Sequence, residues 1–184
     1  MNKKGLFSTK MLVATGLGAA LFLVLFKFIS IPSPIPSTNF QIAYAVSGFF
    51  GAIFGPVCSA LVAFIGHALN DATSGWGIWW SWVIASGVSG AIMGISYFKI
   101  NFEKGFGKKE LITFNVIQII ANVVAWLLVA PVLDIVIYAE PMDYVFVQGI
   151  WASIMNAIST GVVGSLLLIA YASRQVKEGS LDKE

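Results

Sequence analysis

Charged side chains are scarce in this sequence. Only 11% of its 184 residues are Asp, Glu, Lys or Arg, whereas soluble domains carry about 25%. Hydrophobic residues make up 58% of the chain. The charged residues are too few to cover a water-facing surface. Apolar runs of roughly 17–25 residues, long enough to cross a bilayer, recur along the chain. The alternating pattern of a membrane β-barrel is missing, so the sequence predicts an all-α integral membrane protein.

Other absences narrow the function. The single cysteine, Cys58, excludes an internal disulfide. Without a Walker motif, the chain is not expected to hydrolyse ATP through a P-loop. No G-x-S-x-G, zinc or haem motif occurs, which disfavours an enzyme and predicts no cofactor and no metal. A basic cluster interleaved with aromatics is also missing, so nucleic acid is not an expected partner.

The apolar runs predict six membrane-spanning helices. The second run covers about thirty residues and is long for one helix, but Gly55-Pro56 offers a natural break near its middle. The fifth span either ends at the bend near Pro131 or continues to 138. A polar tail follows the last span. The predicted spans are about 11–29, 40–54, 56–73, 79–98, 110–129 and 144–173, with the tail at 174–184.

The distribution of lysines fixes the predicted orientation. Basic residues favour the cytoplasmic side of a membrane, and two groups of lysines are separated by the first four spans. An even number of spans places both groups, and both termini, in the cytoplasm. The first run is long for a signal peptide and no cleavage site follows it, so we expect a retained span. The two groups are Lys3, Lys4 and Lys10, and Lys99, Lys104, Lys108 and Lys109.

Small residues cover much of the first span, in the segment ATGLGAA. Membrane helices approach closely where small residues recur every four positions. Such a helix could contact its own bundle and a foreign helix at the same time. The candidate residues for a partner interface are Ala14, Thr15, Gly18 and Ala19.

Polar residues at membrane depth are costly and are therefore functional candidates. The outer end of the third span carries His67, Asn70 and Asp71 on one helix face. They form either a structural cap, in which Asp71 orients His67, or part of a ligand pocket. One histidine and one aspartate fall short of the three or four ligands of a metal site.

Two further stripes place amides beside tryptophan. On span five, Asn122 and Trp126 lie in the outer half, whereas Asn115 and Gln118 lie deeper and suit a structural role. On span six, Gln148 and Trp151 lie at the same outer level, and Asn156 falls off that stripe by about a quarter turn.

Four tryptophans cluster between Trp76 and Trp82, where an interfacial aromatic belt is expected. Consecutive Trp79 and Trp80 point about 100° apart, and Trp80 is the ring that we expect to face inward. Amides and rings from several helices predict an outer pocket for a flat, largely uncharged heterocycle. Lys27 could meet one anionic group there, or pair with Asp71 or Asp134.

The layout resembles the substrate-binding S component of energy-coupling factor (ECF) vitamin transporters. The segments FGPVCSALVAFIGHALND and WGIWWSWVIASGVSGAIMG are similar to a subfamily proposed to take up hydroxymethylpyrimidine or pyridoxine-type compounds. The resemblance implies a bacterial plasma-membrane protein that binds its vitamin from outside. It also implies a transmembrane coupling (T) subunit and two cytoplasmic ATPases as partners, which would use ATP and Mg²⁺.

The resemblance also implies where the ligand binds. In the family the first loop and helices four to six usually build the pocket, which favours the segment IPSPIPSTN and five side chains over span three. These side chains are Trp80, Asn122, Trp126, Gln148 and Trp151. A self-sufficient secondary transporter or channel is the alternative. It would need an ion-coupling residue in the core, and only the pair His67 and Asp71 offers one.

Overall fold

The computed structural model describes residues 8–175. Within that range the chain is mostly helical, and its only sheet pairs two short antiparallel strands. The predicted all-α architecture is confirmed. The elements are α1 (Thr9–Phe28), β1 (Ser30–Ile31), β2 (Phe40–Gln41), α2 (Ala43–Phe54), α3 (Pro56–Ala72), α4 (Trp80–Met93), α5 (Lys108–Val124), α6 (Ala130–Tyr138), α7 (Met142–Ser159) and α8 (Ser165–Ala172).

Shorter helical turns join these elements. Two 3₁₀ turns, Gly94–Phe98 and Phe102–Lys104, follow α4. Two π-helical segments, Ala125–Val129 and Thr160–Gly164, join α5 to α6 and α7 to α8. Pro131 lies at the start of α6, where a missing N–H is tolerated. The chain therefore runs as one helix from Lys108 to Tyr138 and as another from Met142 to Ala172.

Four of the helical segments are long and apolar enough to cross a membrane: Thr9–Phe28, Trp80–Phe98, Lys108–Tyr138 and Met142–Ala172. Between the first two lie the shorter helices α2, of 12 residues, and α3, of 17 residues. The chain turns between them at Gly55, whose φ of 92° suits glycine alone. Pro56 then opens α3. Six membrane crossings remain a prediction.

The helices approach one another closely at glycines. A Cβ atom on Gly18 of α1 would lie 2.6 Å from Val62 of α3, and one on Gly66 would lie 2.6 Å from the Phe22 ring. A Cβ on Gly149 of α7 would collide with the Trp126 carbonyl oxygen in the first π-helical segment. Close backbone approach of this kind is how helices associate where lipid provides no hydrophobic driving force.

Candidate functional site

A cavity with a volume of about 540 Å³ lies at one end of the bundle. There α1, α3 and α6 end, and α4 and α7 begin. This size falls within the roughly 300–1,000 Å³ of small-molecule sites. Its aromatic lining comprises Phe26, Tyr44, Trp76, Trp79, Trp82 and Tyr144. Its polar lining comprises Ser37, Thr38, Asn39, Gln41, His67, Asn70, Asp71, Asp134, Glu140, Gln148 and Asn156.

Asp134 of α6 fixes the tryptophan wall. Its Oδ1 accepts from the indole N–H of Trp79 at 2.7 Å, and its Oδ2 accepts from that of Trp82 at 2.7 Å. The Ser81 hydroxyl also donates to Oδ1. Asp134 is only 2% exposed, so these donors compensate a carboxylate withdrawn from water. One side chain therefore sets the orientation of two rings that line the cavity.

A second network joins α3 to α2 and α4. His67 Nδ1 lies 2.7 Å from the Ser86 hydroxyl, which lies 3.0 Å from the Tyr44 hydroxyl. On its other side, His67 Nε2 lies 3.6 Å from Asp71 Oδ1, beyond hydrogen-bond distance. Asp71 Oδ2 accepts the backbone N–H of Trp79 at 3.1 Å. This polar end of α3 thus lines the cavity and also fixes the turn into α4.

The first loop closes the side of the cavity next to α7. Gln148 Nε2 donates to the Pro36 carbonyl at 3.1 Å. The Ser159 hydroxyl lies 2.7 Å from the Gln41 carbonyl and 3.1 Å from that of Asn156, one turn back on the same helix. These bonds hold the loop and β2 against α7, and therefore place Gln41 beside Asn156.

Comparison with known proteins identifies the family. Residues 6–173 match the family model described as "ECF-type riboflavin transporter, S component". The chain belongs to this family of ECF S components. Curated relatives called UPF0397 proteins come from Lactobacillus acidophilus (49% identical, covering 100% of both chains) and Staphylococcus aureus (46%, covering 99% of this chain and 100% of the relative).

A solved structure with the same fold is the crystal structure of FolT bound with folic acid. It matches 86% of this chain and 94% of its own with a TM-score of 0.62 at 16% sequence identity. At that identity the likeness shows the fold alone. The family match identifies a substrate-binding, non-enzymatic subunit of a transporter, and the four long apolar helical segments fit a multi-pass membrane protein.

Four of the predicted site residues of this S component line the cavity, and four do not. Those that line it are His67, Asn70, Asp71 and Gln148. Span three therefore contributes more to the lining than the resemblance implied. The other four, Trp80, Asn122, Trp126 and Trp151, are absent from the lining.

Trp80 does not face inward, contrary to our expectation. Its side chain is 45% exposed and lies 6.3 Å from the Phe64 ring, whereas Trp79 and Trp82 line the cavity. The indole N–H groups of Trp79 and Trp82 both bond to Asp134, which selects the inward rings. The sequence could not show that Asp134 bonds to these two rings, because it lies more than fifty positions away.

Asn122 and Trp126 form a layer of hydrogen bonds beneath the cavity. Trp126 Nε1 donates to Asn122 Oδ1 at 2.9 Å, and Asn122 Nδ2 donates to Gln118 Oε1 at 3.1 Å. Gln118 Nε2 reaches the Ala157 carbonyl at 3.1 Å, and Asn115 Nδ2 reaches the Ser165 hydroxyl at 3.0 Å. These amides satisfy one another and tie α5 to α7 and α8. The Trp126 ring supports those of Tyr44 and Trp82 from behind, with centroids 5.1 and 5.3 Å away.

On α7 the lining residues recur every four positions: Tyr144, Gln148, Ala152 and Asn156. The stripe predicted from the sequence also contained Gln148, but it continued through Trp151 and therefore lay on a neighbouring face of the helix. The indole N–H of Trp151 is buried away from the cavity lining without a partner among residues 8–175. The signal in the sequence that would have found Asn156 was its position on one helix face with the polar residues Tyr144 and Gln148, at multiples of four positions.

Lys27 pairs with neither Asp71 nor Asp134. Its Nζ donates to the carbonyl and the hydroxyl of Thr73, both at 3.0 Å, and so links the end of α1 to the end of α3. It lines a smaller adjoining cavity of about 330 Å³. None of the described residues that line the larger cavity is Lys or Arg.

The small residues proposed as a partner interface on α1 are buried within the chain itself. Ala14, Thr15 and Ala19 are at most 6% exposed, and Gly18 is buried next to Val62 of α3 and Phe50 of α2. The Thr15 hydroxyl lies 3.4 Å from Cys58 Sγ on α3. The exposed face of α1 instead carries Leu12, Val13, Gly16, Leu17, Ala20 and Leu21.

Proposed function

We propose that this S component captures a flat heterocyclic vitamin or vitamin precursor from outside a bacterial cell and delivers it through an ATP-driven ECF transporter. The observation that carries the proposal is the aromatic and amide-lined cavity, whose Trp79 and Trp82 are held by Asp134. Rings of this kind stack on a planar ligand, while the amides read its edge.

The charge distribution supports an outward-facing cavity in the plasma membrane. The lysine-rich loop 99–109 lies at the end of α4 and the start of α5, whereas the cavity lies at the start of α4 and the end of α6. If that loop is cytoplasmic, as basic loops usually are, the cavity opens to the other side. The proposed topology therefore has six crossings with both termini in the cytoplasm.

Three compounds are candidate substrates. Hydroxymethylpyrimidine and pyridoxine follow from the sequence resemblance, and riboflavin follows from the description of the matching family. A cavity of about 540 Å³ accommodates any of the three. FolT binds folic acid, but two carboxylates would be unfavourable in a lining that contains Asp71, Asp134 and Glu140 without a basic side chain.

Binding to the purified chain and uptake by the complex test the proposal together. The chain in nanodiscs is titrated with the three candidates. Uptake is then measured in cells with and without a T subunit and the two ATPases, which would use ATP and Mg²⁺. We expect saturable binding by the chain alone and uptake only with the partners. Proton-driven uptake by the chain alone would instead identify a secondary transporter, and the absence of binding would overturn the proposal.

Replacing Trp82 with alanine is expected to weaken binding of the preferred candidate by roughly 5- to 100-fold, because stacking on an aromatic ring is worth about 1–3 kcal/mol. Trp80→Ala is the matched control, since Trp80 is absent from the lining and 45% exposed. Titration calorimetry on both variants measures the difference. Equal losses from the two substitutions would show that the cavity is not the binding site.

We propose that α1 docks on the T subunit through its exposed face, where Gly16 and Ala20 are spaced four apart. Nothing lies within 4 Å of a Cβ placed on Gly16, so Gly16→Leu should leave the fold and ligand affinity intact. It should reduce co-purification of the T subunit several-fold, because a leucine prevents close helix approach. Unchanged assembly in Gly16→Leu would assign docking to another surface.

A further inference from the structure

Two buried acceptor atoms on residues that line the cavity lack partners. Gln41 Oε1 and Asn156 Oδ1 make no hydrogen bond with any residue from 8 to 175, although their side chains are only 6% and 3% exposed. Both residues line the cavity. Buried polar atoms in folded proteins nearly always have a partner, so two such atoms at one cavity indicate that a ligand supplies the missing donors.

The two residues come from different elements, and one side chain holds their backbones close together. The Ser159 hydroxyl lies within hydrogen-bond distance of the backbone carbonyls of Gln41 on β2 and Asn156 on α7. Gln41 is further fixed because its Nε2 donates to Ser30 Oγ at 3.1 Å, which leaves Oε1 as its free atom. These contacts fix the backbone at both positions and the Gln41 amide before a ligand arrives, a condition that favours specific recognition.

The remaining charges in the lining favour the same type of ligand. Asp71 and Asp134 already accept hydrogen bonds from Trp79, Ser81 and Trp82. Glu140 adds a third carboxylate, and no described lining residue is Lys or Arg. An anionic ligand would meet only like charge here. A neutral or cationic ligand with N–H donors would match both the two acceptor oxygens and the negative charge of the lining.

We propose that Gln41 and Asn156 are specificity-determining residues that read an N–H edge of the substrate, which is therefore an amino- or imide-bearing neutral or cationic heterocycle. This inference rests on the proposed function, because it names the chemistry recognised in the same cavity. It adds two residues that the amide stripes of spans five and six did not include.

Pairs of probes that differ in one N–H group test the inference. Riboflavin is compared with its N3-methyl derivative, and 4-amino-5-hydroxymethyl-2-methylpyrimidine with its N,N-dimethylamino derivative, by titration calorimetry in nanodiscs. The wild-type chain should prefer at least one parent compound over its methylated partner by roughly tenfold or more, the effect of one lost hydrogen bond at a buried acceptor.

Variants then locate the acceptors. Asn156→Leu and Gln41→Met keep the approximate side-chain volume but remove the amide, and each should reduce the preference for the parent compound towards unity. Asn156→Asp keeps an oxygen acceptor and should retain the preference. Asn115→Leu removes an amide outside the cavity and is the matched control, because it could affect stability but should leave the preference unchanged.

The outcomes separate the inference from the proposed function. A wild-type chain without preference for either parent compound, or tighter binding of folic acid than of both, would overturn the inference whatever the variants do. An unchanged preference in both Asn156→Leu and Gln41→Met would also overturn the inference. The proposed function would still stand in that case, because the chain would bind the parent compounds. A wild-type chain that bound no probe would overturn both.

Discussion

Asp134→Asn is expected to weaken binding of the preferred heterocycle by roughly 10- to 100-fold. The substitution removes the charge and one of the two oxygens that accept the indole N–H groups of Trp79 and Trp82. An amide N–H would then face an indole N–H. Hydrogen bonds to charged groups contribute about 1.5–3 kcal/mol each, and tenfold in affinity corresponds to about 1.4 kcal/mol. The affinity would fall because at least one ring leaves its position in the cavity wall.

Titration calorimetry and tryptophan fluorescence of the ligand-free protein measure this effect together. Asp143→Asn makes the same chemical change at an exposed position in the first turn of α7 and is the control. Asp134→Asn should shift the emission of the free protein as well as the affinity, since the rings move before ligand binds. A variant with unaltered affinity would show that Asp134 does not organise the site.

Gly90→Ala is expected to destabilise the folded chain by about 2–3 kcal/mol. A Cβ atom at Gly90 of α4 would collide with the Ser59 carbonyl oxygen and would lie 3.0 Å from the backbone N of Ala60, both on α3. Backbone atoms cannot rotate away as a flexible side chain can, so the two helices must separate. Overpacking costs of about 1–3 kcal/mol are typical, and occasionally more.

Gly87→Ala on the same helix is the matched control. Its Cβ would lie 3.4 Å from the Phe64 side chain, which is ordinary contact, and alanine favours helix over glycine by about 1 kcal/mol. This variant should be neutral or slightly stabilising in denaturant unfolding monitored in detergent. If both variants unfold at the same denaturant concentration, the close approach of α3 and α4 is not the source of stability described here.

The architecture could be predicted from the sequence because membrane helices are encoded by simple physical patterns. Scarce charge and long apolar runs indicate spans, and the Gly-Pro pair at residues 55–56 marks a position where a helix ends and another begins. The resemblance to an ECF S component, which rested on the layout of nearly the whole chain, is confirmed, whereas the subfamily suggested by two local segments remains a prediction. Neither signal depends on how the helices rotate against one another.

The rotation of each helix about its axis is what the sequence could not specify. Gln148 is compatible with a stripe through Trp151 and with a stripe through Ala152, because both spacings fit a helical face. Likewise, Trp79, Trp80 and Trp82 differ only in position, and a residue 52–55 positions away, Asp134, decides which of them turn inward. Such long-range hydrogen bonds leave no local pattern.

The amides of α5 illustrate the same limit. Asn122 has the composition of a ligand-binding residue, yet it bonds with Gln118 and Trp126 within its own helical segment. Asn156 and Gln41 carry the same functional group and line the cavity, and their side-chain oxygens remain without partners among the described residues. Whether an amide binds a neighbour or a ligand depends on tertiary contacts, not on residue type.

Native mass spectrometry of the purified chain tests the central claim most directly. The protein is released gently from detergent after purification from cells supplied with the three candidate vitamins, and the mass of any bound molecule is measured. We predict one heterocycle per chain in the wild type and its loss in Trp82→Ala but not in Trp80→Ala. A wild-type chain that carries no small molecule and binds none when the candidates are added would contradict the account.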